Sequence, residues 1–337
     1  MNKLLLAFAL ITVSSPIVAQ NVKVLVPQYR FPISTTDEFS GGLAYPTACD
    51  EQERPYIKLL KSGPGMVGPI FRLSSRGVVE AQFDTSGALI NRYAVRPDGG
   101  VVMMHLDGGI KVLDNFAPDG TRESSVRLEQ PPIRFFPSQL AVFHSGEIFV
   151  SGLQYRPGYK ASTAIYSKTG SLVKQLVLDW DEKTEGEIAG KPDAQKMNIE
   201  TVDKSVAVRG DDGLVYLMRP TNPAVVYAIS SAGDVLSKLA VSTPTGAGSP
   251  DFGLRVVKSR LLIQFRRECG ETVTSCQGSI YVVADATTGK TIAAYEANNE
   301  VAGPIACYSP DPEHFLIFSA SPDHHGLDLV AAKPKEN

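Results

Sequence analysis

A short turn returns five times along this chain: an apolar run, a few small or polar residues, a glycine, then a second apolar run. It reads Phe83-Asp-Thr-Ser-Gly87, Phe116-Ala-Pro-Asp-Gly120, Tyr166-Ser-Lys-Thr-Gly170, Ile229-Ser-Ser-Ala-Gly233 and Ala284-Asp-Ala-Thr-Thr-Gly289. Glycine between two β-rich runs is a hairpin signal. Its recurrence means that one supersecondary unit is used many times. Working outward from the glycines gives four short strands per unit. One unit runs from Leu140 through Ile148-Phe-Val150 and Thr163-Ala-Ile-Tyr166 to Leu178. The next runs from Val206 through Leu214 and Ala224 to Val241, and a third from Leu254 through Leu261 and Ser279 to Tyr295. Val, Ile, Tyr and Phe fill the strands, while Gly, Asp, Ser and Pro sit at the breaks.

Four antiparallel strands repeated radially describe a β-propeller blade. An earlier unit occupies Tyr93 to Leu128, preceded by a compressed one from Phe71 to Val95. The last, Ile305 to Lys333, shows only three strands, and Val22-Lys-Val-Leu-Val26 is an orphan strand able to supply the fourth. Closure of that kind removes an exposed sheet edge. The expected fold is therefore an all-β, six-bladed propeller of four-stranded antiparallel blades, its last blade closed by an N-terminal strand. Seven blades and a pair of β-sandwiches are the alternatives.

With Phe116-Ala-Pro-Asp-Gly120 and Val95-Arg-Pro-Asp-Gly99 as its best-matching segments, the chain resembles the exported bacterial six-bladed propellers of the NHL-repeat and TolB-like kind. That resemblance speaks to fold, since propellers host many unrelated activities.

The first residues carry a basic start, Met1-Asn-Lys3, an apolar stretch from Leu4 to Val13, and a small-residue end at Val18-Ala19, the layout of a signal peptide. A membrane helix needs about 20 apolar residues, so this run is too short to span. The expected division is a leader over 1–19 and one propeller domain over 20–337, secreted or periplasmic and monomeric. The leader removes Lys3 from 33 basic residues and nothing from 36 acidic ones, leaving a net charge of −4. With no basic block, nucleic acid is not an expected partner.

Cys49, Cys269, Cys276 and Cys307 allow three pairings. Cys269 and Cys276 flank the polar run Gly-Glu-Thr-Val-Thr-Ser, which favours a local bridge. Cys49 then pairs with Cys307 and ties the two ends of the chain together.

Turns between first and second strands are tight, whereas the connections at the other end of the strands are long and varied. Variable loops on a rigid scaffold usually carry function, so the long-loop face is the expected binding surface. Arg156, Arg219 and Arg266 recur there and could hold a carboxylate or phosphate; the alternative is pairing with nearby acids. Tyr155, Tyr159 and Trp180 could stack on a ligand or pack the blade edge. His105 with Asp323, His324 and His325 is the densest set of metal-capable side chains, suited to zinc or a similar ion, though loop histidines are usually just solvated.

No nucleophile–base signature stands out. The expected function is a binding or scaffold module for a protein, peptide or small ligand, without a cofactor. The alternative is a metal-dependent hydrolase or lactonase with calcium or zinc, of the gluconolactonase-like or strictosidine-synthase-like type. Those propellers place two carboxylates and an amide around a central ion, and the candidates here are Glu147, Asn222, Asp107 and Asp323.

Overall fold

The computed structural model describes residues 22–34, 43–60, 67–85, 92–154, 160–176, 178, 201–202, 204–267, 278–298, 300–322 and 326–336. These form an all-β propeller of four-stranded antiparallel blades. After β1 (Lys23–Pro32), four separate sheets follow in chain order. The first contains β2 (Leu43–Cys49), β3 (Pro55–Leu60), β4 (Val67–Leu73) and β5 (Val79–Phe83). The second contains β6 (Arg92–Val95), β7 (Val101–Asp107), β8 (Ile110–Phe116) and β9 (Arg122–Arg127). The third contains β10 (Phe136–Val142), β11 (Ile148–Gln154), β12 (Lys160–Tyr166) and β13 (Leu172–Leu176). The fourth contains β14 (Val206–Arg209), β15 (Val215–Arg219), β16 (Ala224–Ile229) and β17 (Val235–Val241).

The remaining strands share one eight-stranded sheet. β18 (Ala247–Val257), β19 (Arg260–Arg267), β20 (Ser279–Asp285) and β21 (Thr291–Ala297) make one half. β22 (Ile305–Pro310), β23 (Glu313–Ala320) and β24 (Leu327–Pro334) make the other, and β1 lies between them. The expectation of six separate sheets is thus met by four, because β1 fuses the last two units. It pairs antiparallel with β24 and parallel with β21. The orphan strand is longer than its apolar core, Val22–Val26, and closes the last unit as expected.

Burial follows radial position. β11 is buried on both faces, because neighbouring sheets cover each side, and its sequence is a continuous apolar and small-residue run. The outer strand β9, Arg-Glu-Ser-Ser-Val-Arg, is almost wholly exposed. Between sheets lie compact cores, such as Tyr56, Ile70, Phe83, Tyr93 and Met103 between the first and second. The innermost strands β2, β6, β10, β14, β18 and β22 lie side by side in that order, and β22 returns to β2. The Cys49–Cys307 disulfide joins β2 to β22, with Cα atoms 5.4 Å apart. Cys269 and Cys276 lie outside the described residues.

The glycine turns form as expected where they are described. At Gly120 (φ +92°), the backbone N–H donates to Ala117 O at 3.0 Å, and a Cβ there would come within 2.2 Å of Gln82 O in β5. Only glycine satisfies both the left-handed turn and that approach. The Gly87 turn is outside the described residues. The first sheet instead turns at Gly77, in Leu73-Ser-Ser-Arg-Gly77, so that unit begins at Leu43, earlier than the expected Phe71. Among the described residues, no helix is long and apolar enough to cross a membrane.

Candidate functional site: the central cavity

The six innermost strands enclose a cavity of about 460 Å³, within the range typical of small-molecule sites. It runs from mid-strand to the turns that link first and second strands, including Asp50, Glu51 and Glu53 after β2, His144 after β10, Asp211 after β14, Lys258 after β18 and Asp311 after β22. The cavity therefore opens on the tight-turn face. Its wall is mostly apolar, with Ala94, Leu140, Ala141, Val206 and Val256 among the lining residues.

Two arginines interrupt that wall. Arg255 extends from β18 past β22 towards β2, and the residue is 6% exposed. Its Nε donates to Ala306 O at 2.8 Å and its Nη1 to Leu254 O at 2.6 Å. Nη2 donates to Thr47 Oγ1 at 2.9 Å and Ile305 O at 2.7 Å. These acceptors fix the guanidinium plane but carry no charge. Among the described residues no carboxylate pairs with it, and burial lowers its pKa to about 10. A cation that is hydrogen-bonded yet electrically uncompensated in a low-dielectric wall attracts an anion strongly.

Arg209, at the end of β14, reaches across the mouth. Its Nη1 donates to Val95 O on β6 at 3.2 Å, and its Nη2 lies 3.4 Å from Glu51 Oε1 on the turn after β2. The Arg209 side chain is 10% exposed and that of Glu51 45%. Burial lowers the pKa of Arg209, partly offset by Glu51, Asp50 and Asp98. His144 Nδ1 stands 4.0 Å from the same Glu51 oxygen.

Local bonds hold the rim acids. Asp50 accepts Arg54 Nε at 2.7 Å and Tyr56 OH at 3.0 Å, so its charge is already engaged. Glu53 pairs with His314 at 3.1 Å, and Asp211 accepts the Lys258 backbone N–H at 2.7 Å. Tyr93 donates to Tyr56 O at 3.2 Å, and burial raises its pKa.

The residues expected on the long-loop face are not gathered in the described structure. Arg156, Tyr155, Tyr159, Trp180, Asp323, His324 and His325 lie outside the described residues. Arg219 is fully buried, donating from Nη1 to Ser205 Oγ at 3.0 Å and from Nη2 to Ser151 Oγ at 3.2 Å. Its guanidinium therefore ties the third sheet to the fourth instead of facing a ligand. Arg266 is exposed near the end of β19. His105 Nδ1 stands 3.3 Å from Asp114, which also accepts Arg122 and Ser125, and this cluster lies within the second sheet. Asp107 pairs with exposed Arg127, Glu147 accepts Ser145, and Asn222 accepts Thr243. None of those three lines the cavity. Among the described residues, no three His, Cys, Asp or Glu side chains come together as a metal site.

Sequence reading missed Arg255 and Arg209, although both left a signal. Each is a lone cation in an apolar first strand, in Leu254-Arg-Val-Val257 and Val206-Ala-Val-Arg209. Such a position normally repels charge.

No protein-family model matches the chain, and no curated protein matches it in sequence. Solved structures do resemble it. A member of the DUF4221 family from Bacteroides vulgatus is 10% identical, with a TM-score of 0.56 over 94% of this chain and all of that one. A gluconolactonase from Xanthomonas campestris is 13% identical, with a TM-score of 0.52 over 94% of this chain and 99% of that one. A further protein described as a putative gluconolactonase is 11% identical, with a TM-score of 0.51 over 91% of this chain and 92% of that one. At these identities the likeness is one of fold, and it agrees with an all-β propeller.

Proposed function

We propose that this protein is a non-catalytic binding propeller whose site is the central cavity and whose ligand is a small molecule bearing an acidic group. The observation that carries this reading is Arg255: a buried guanidinium in the cavity wall, held by neutral acceptors and lacking a carboxylate partner among the described residues. A ligand carboxylate would supply the missing charge, and charge-assisted bonds to guanidinium are among the stronger ones available. The ring of six inner strands supports counting the eight-stranded sheet as two blades, which makes the propeller six-bladed. The buried Cys49–Cys307 bridge suits an oxidising compartment, in keeping with the leader over residues 1–19 and secretion or a periplasmic location.

The lactonase reading rests on fold likeness to a gluconolactonase. It needs a ring of carboxylate and amide donors around a cation. Asp50, Glu51, Glu53, Asp211 and Asp311 do line the cavity, but among the described residues no three of them come together as a cation site, and the two guanidinium groups of the wall favour an anion.

The test is calorimetric titration of the full chain with hexanoate, a monocarboxylate with an apolar tail. Saturable binding should appear in the wild type and be lost in Arg255→Met. Because that change also removes hydrogen bonds to Thr47, Ile305 and Ala306, Ala207→Phe provides a second arm. Ala207 is a partly exposed cavity-wall position, and filling it should block binding with Arg255 intact. Binding that survives both changes places the site elsewhere.

A further inference from the structure

We infer that the cavity is built for an elongated dicarboxylate, gripped by Arg255 at its deep end and Arg209 at its mouth, with Glu51 occupying the outer acid's place when the cavity is empty. This rests on the reading of Arg255 as the anchor of a small acidic ligand, and adds the ligand's second charge and length.

Three observations converge on it. The two guanidinium groups stand at different depths. Arg255 reaches Thr47, inside β2, and Ile305, the first residue of β22, whereas Arg209 reaches Val95 and Glu51 at the opposite ends of the inner strands. Thr47 and Glu51 are four residues apart on one stretch of chain, at most about 13 Å at strand rise. Allowing roughly 3 Å for a hydrogen bond at each end leaves at most about 7 Å between the two acidic groups. That is the reach of adipate.

Ala94, Leu140, Ala141, Val206 and Val256 give the same cavity much of its apolar lining. An aliphatic or aromatic spacer fits it.

Arg209 is the less committed of the two cations. Its Nη1 and Nη2 make one long bond each, 3.2 Å to Val95 O and 3.4 Å to Glu51. Its remaining donors are available to a second carboxylate. Glu51 is a weak internal stand-in: it sits on an exposed turn, meets Arg209 at a distance poor for a charge-assisted bond, and shares its oxygen with His144. A ligand carboxylate arriving with its other end already fixed on Arg255 replaces Glu51 at a high effective concentration. The Glu51 side chain then swings out to solvent. No covalent step is involved.

The experiment compares adipate with hexanoate by calorimetry on the full chain. Adipate should bind ~10- to 100-fold more tightly, the worth of one further charge-assisted bond. Arg209→Met should bring adipate down to the level of hexanoate. Glu51→Gln, on the exposed turn, should raise adipate affinity several-fold by removing the internal competitor while leaving hexanoate nearly unaffected. Should Arg209→Met fold poorly, Glu51→Gln still decides the matter. If hexanoate binds through Arg255 but adipate binds no better, or if Glu51→Gln weakens adipate, the dicarboxylate inference is overturned and the anchor stands. If neither acid binds, the anchor fails and the inference falls with it.

Discussion

Replacing Lys58 by methionine should stabilise the protein, and by more at neutral pH than at high pH. Lys58 lies on β3, opposite Ala44 and Ile70, with no accessible surface. Its Nζ has no hydrogen-bond partner among the described residues. Burial, and secondarily the charge of Arg92, push the amine from its ordinary 10.5 down to about 7. Each pH unit between those values corresponds to about 1.4 kcal/mol, so holding this amine costs the fold on the order of 4 kcal/mol at pH 7. Methionine is close in length, apolar and flexible enough to fill the space. Some relaxation around Lys58 is expected, which sets the gain from Lys58→Met at roughly 2–4 kcal/mol at pH 7. The sign of the pH dependence follows from proton counts. Between pH 7 and 10.5 the unfolded chain holds more protons at this site than the native state, so this residue makes wild-type stability climb across that window. The variant has no group that titrates there. Its advantage should be greatest below pH 7 and shrink as pH approaches 10.5, leaving only the smaller cost of the buried neutral amine. Urea denaturation of both proteins at intervals from pH 6 to 10 measures the difference, and other titrating groups cancel in it. A pH-independent difference, or a variant less stable than wild type at pH 7, would refute the reasoning.

Removing the inter-sheet disulfide with the double change Cys49→Ala and Cys307→Ala should cost about 3–5 kcal/mol. The bridge closes a loop of 258 residues, and the urea midpoint reports the loss. Gly120→Ala should destabilise markedly more than Gly146→Ala, although both glycines hold similar φ values of +92° and +97°. At Gly146 the nearest atom to a new Cβ is Lys168 Cβ at 3.9 Å, so only the left-handed strain of about 1–2 kcal/mol applies. At Gly120 a backbone oxygen stands in the way, and equal losses in melting experiments would contradict this account. Arg219→Met should lower stability by about 1–3 kcal/mol, since it removes the buried charge-assisted bonds to Ser205 and Ser151 that tie the third sheet to the fourth, while hexanoate affinity should stay within twofold of wild type.

Much of the architecture was legible because turns and strands are local. The run Ala117-Pro-Asp-Gly120 requires a left-handed residue, and the runs on either side can only be strands. The Cys49–Cys307 pairing was equally readable, since it followed from a local role for Cys269 and Cys276. The fusion of the last two units was not. It depends on β1 finding a parallel partner in β21, and parallel pairing leaves no local mark in Val22-Lys-Val-Leu-Val26. The candidate site was the least legible part. Loop length pointed to the far face, yet the cavity lies among the shortest turns, because inner-strand side chains decide what lines the axis. Arg219 and Arg255 look alike in sequence, each a cation beside apolar residues. What separates them is strand rank: the second strand carries Arg219 into the space between sheets, and the first carries Arg255 to the axis.

The position of β1 also sets a timetable for folding. Leu25 pairs with Pro334 and Arg30 bonds to Asp328, 298 residues away. A ribosome adding about 5–20 residues per second leaves this strand without its antiparallel partner for roughly 15–60 s. Through that interval β1 is an open edge, and β24 is the strand that covers it. Four sheets can assemble as their own hairpins emerge, but the ring can close only after β24 has emerged. A chain interrupted before β24 would therefore keep most of its sheets yet expose an edge at both ends, the form most prone to pair with a neighbour.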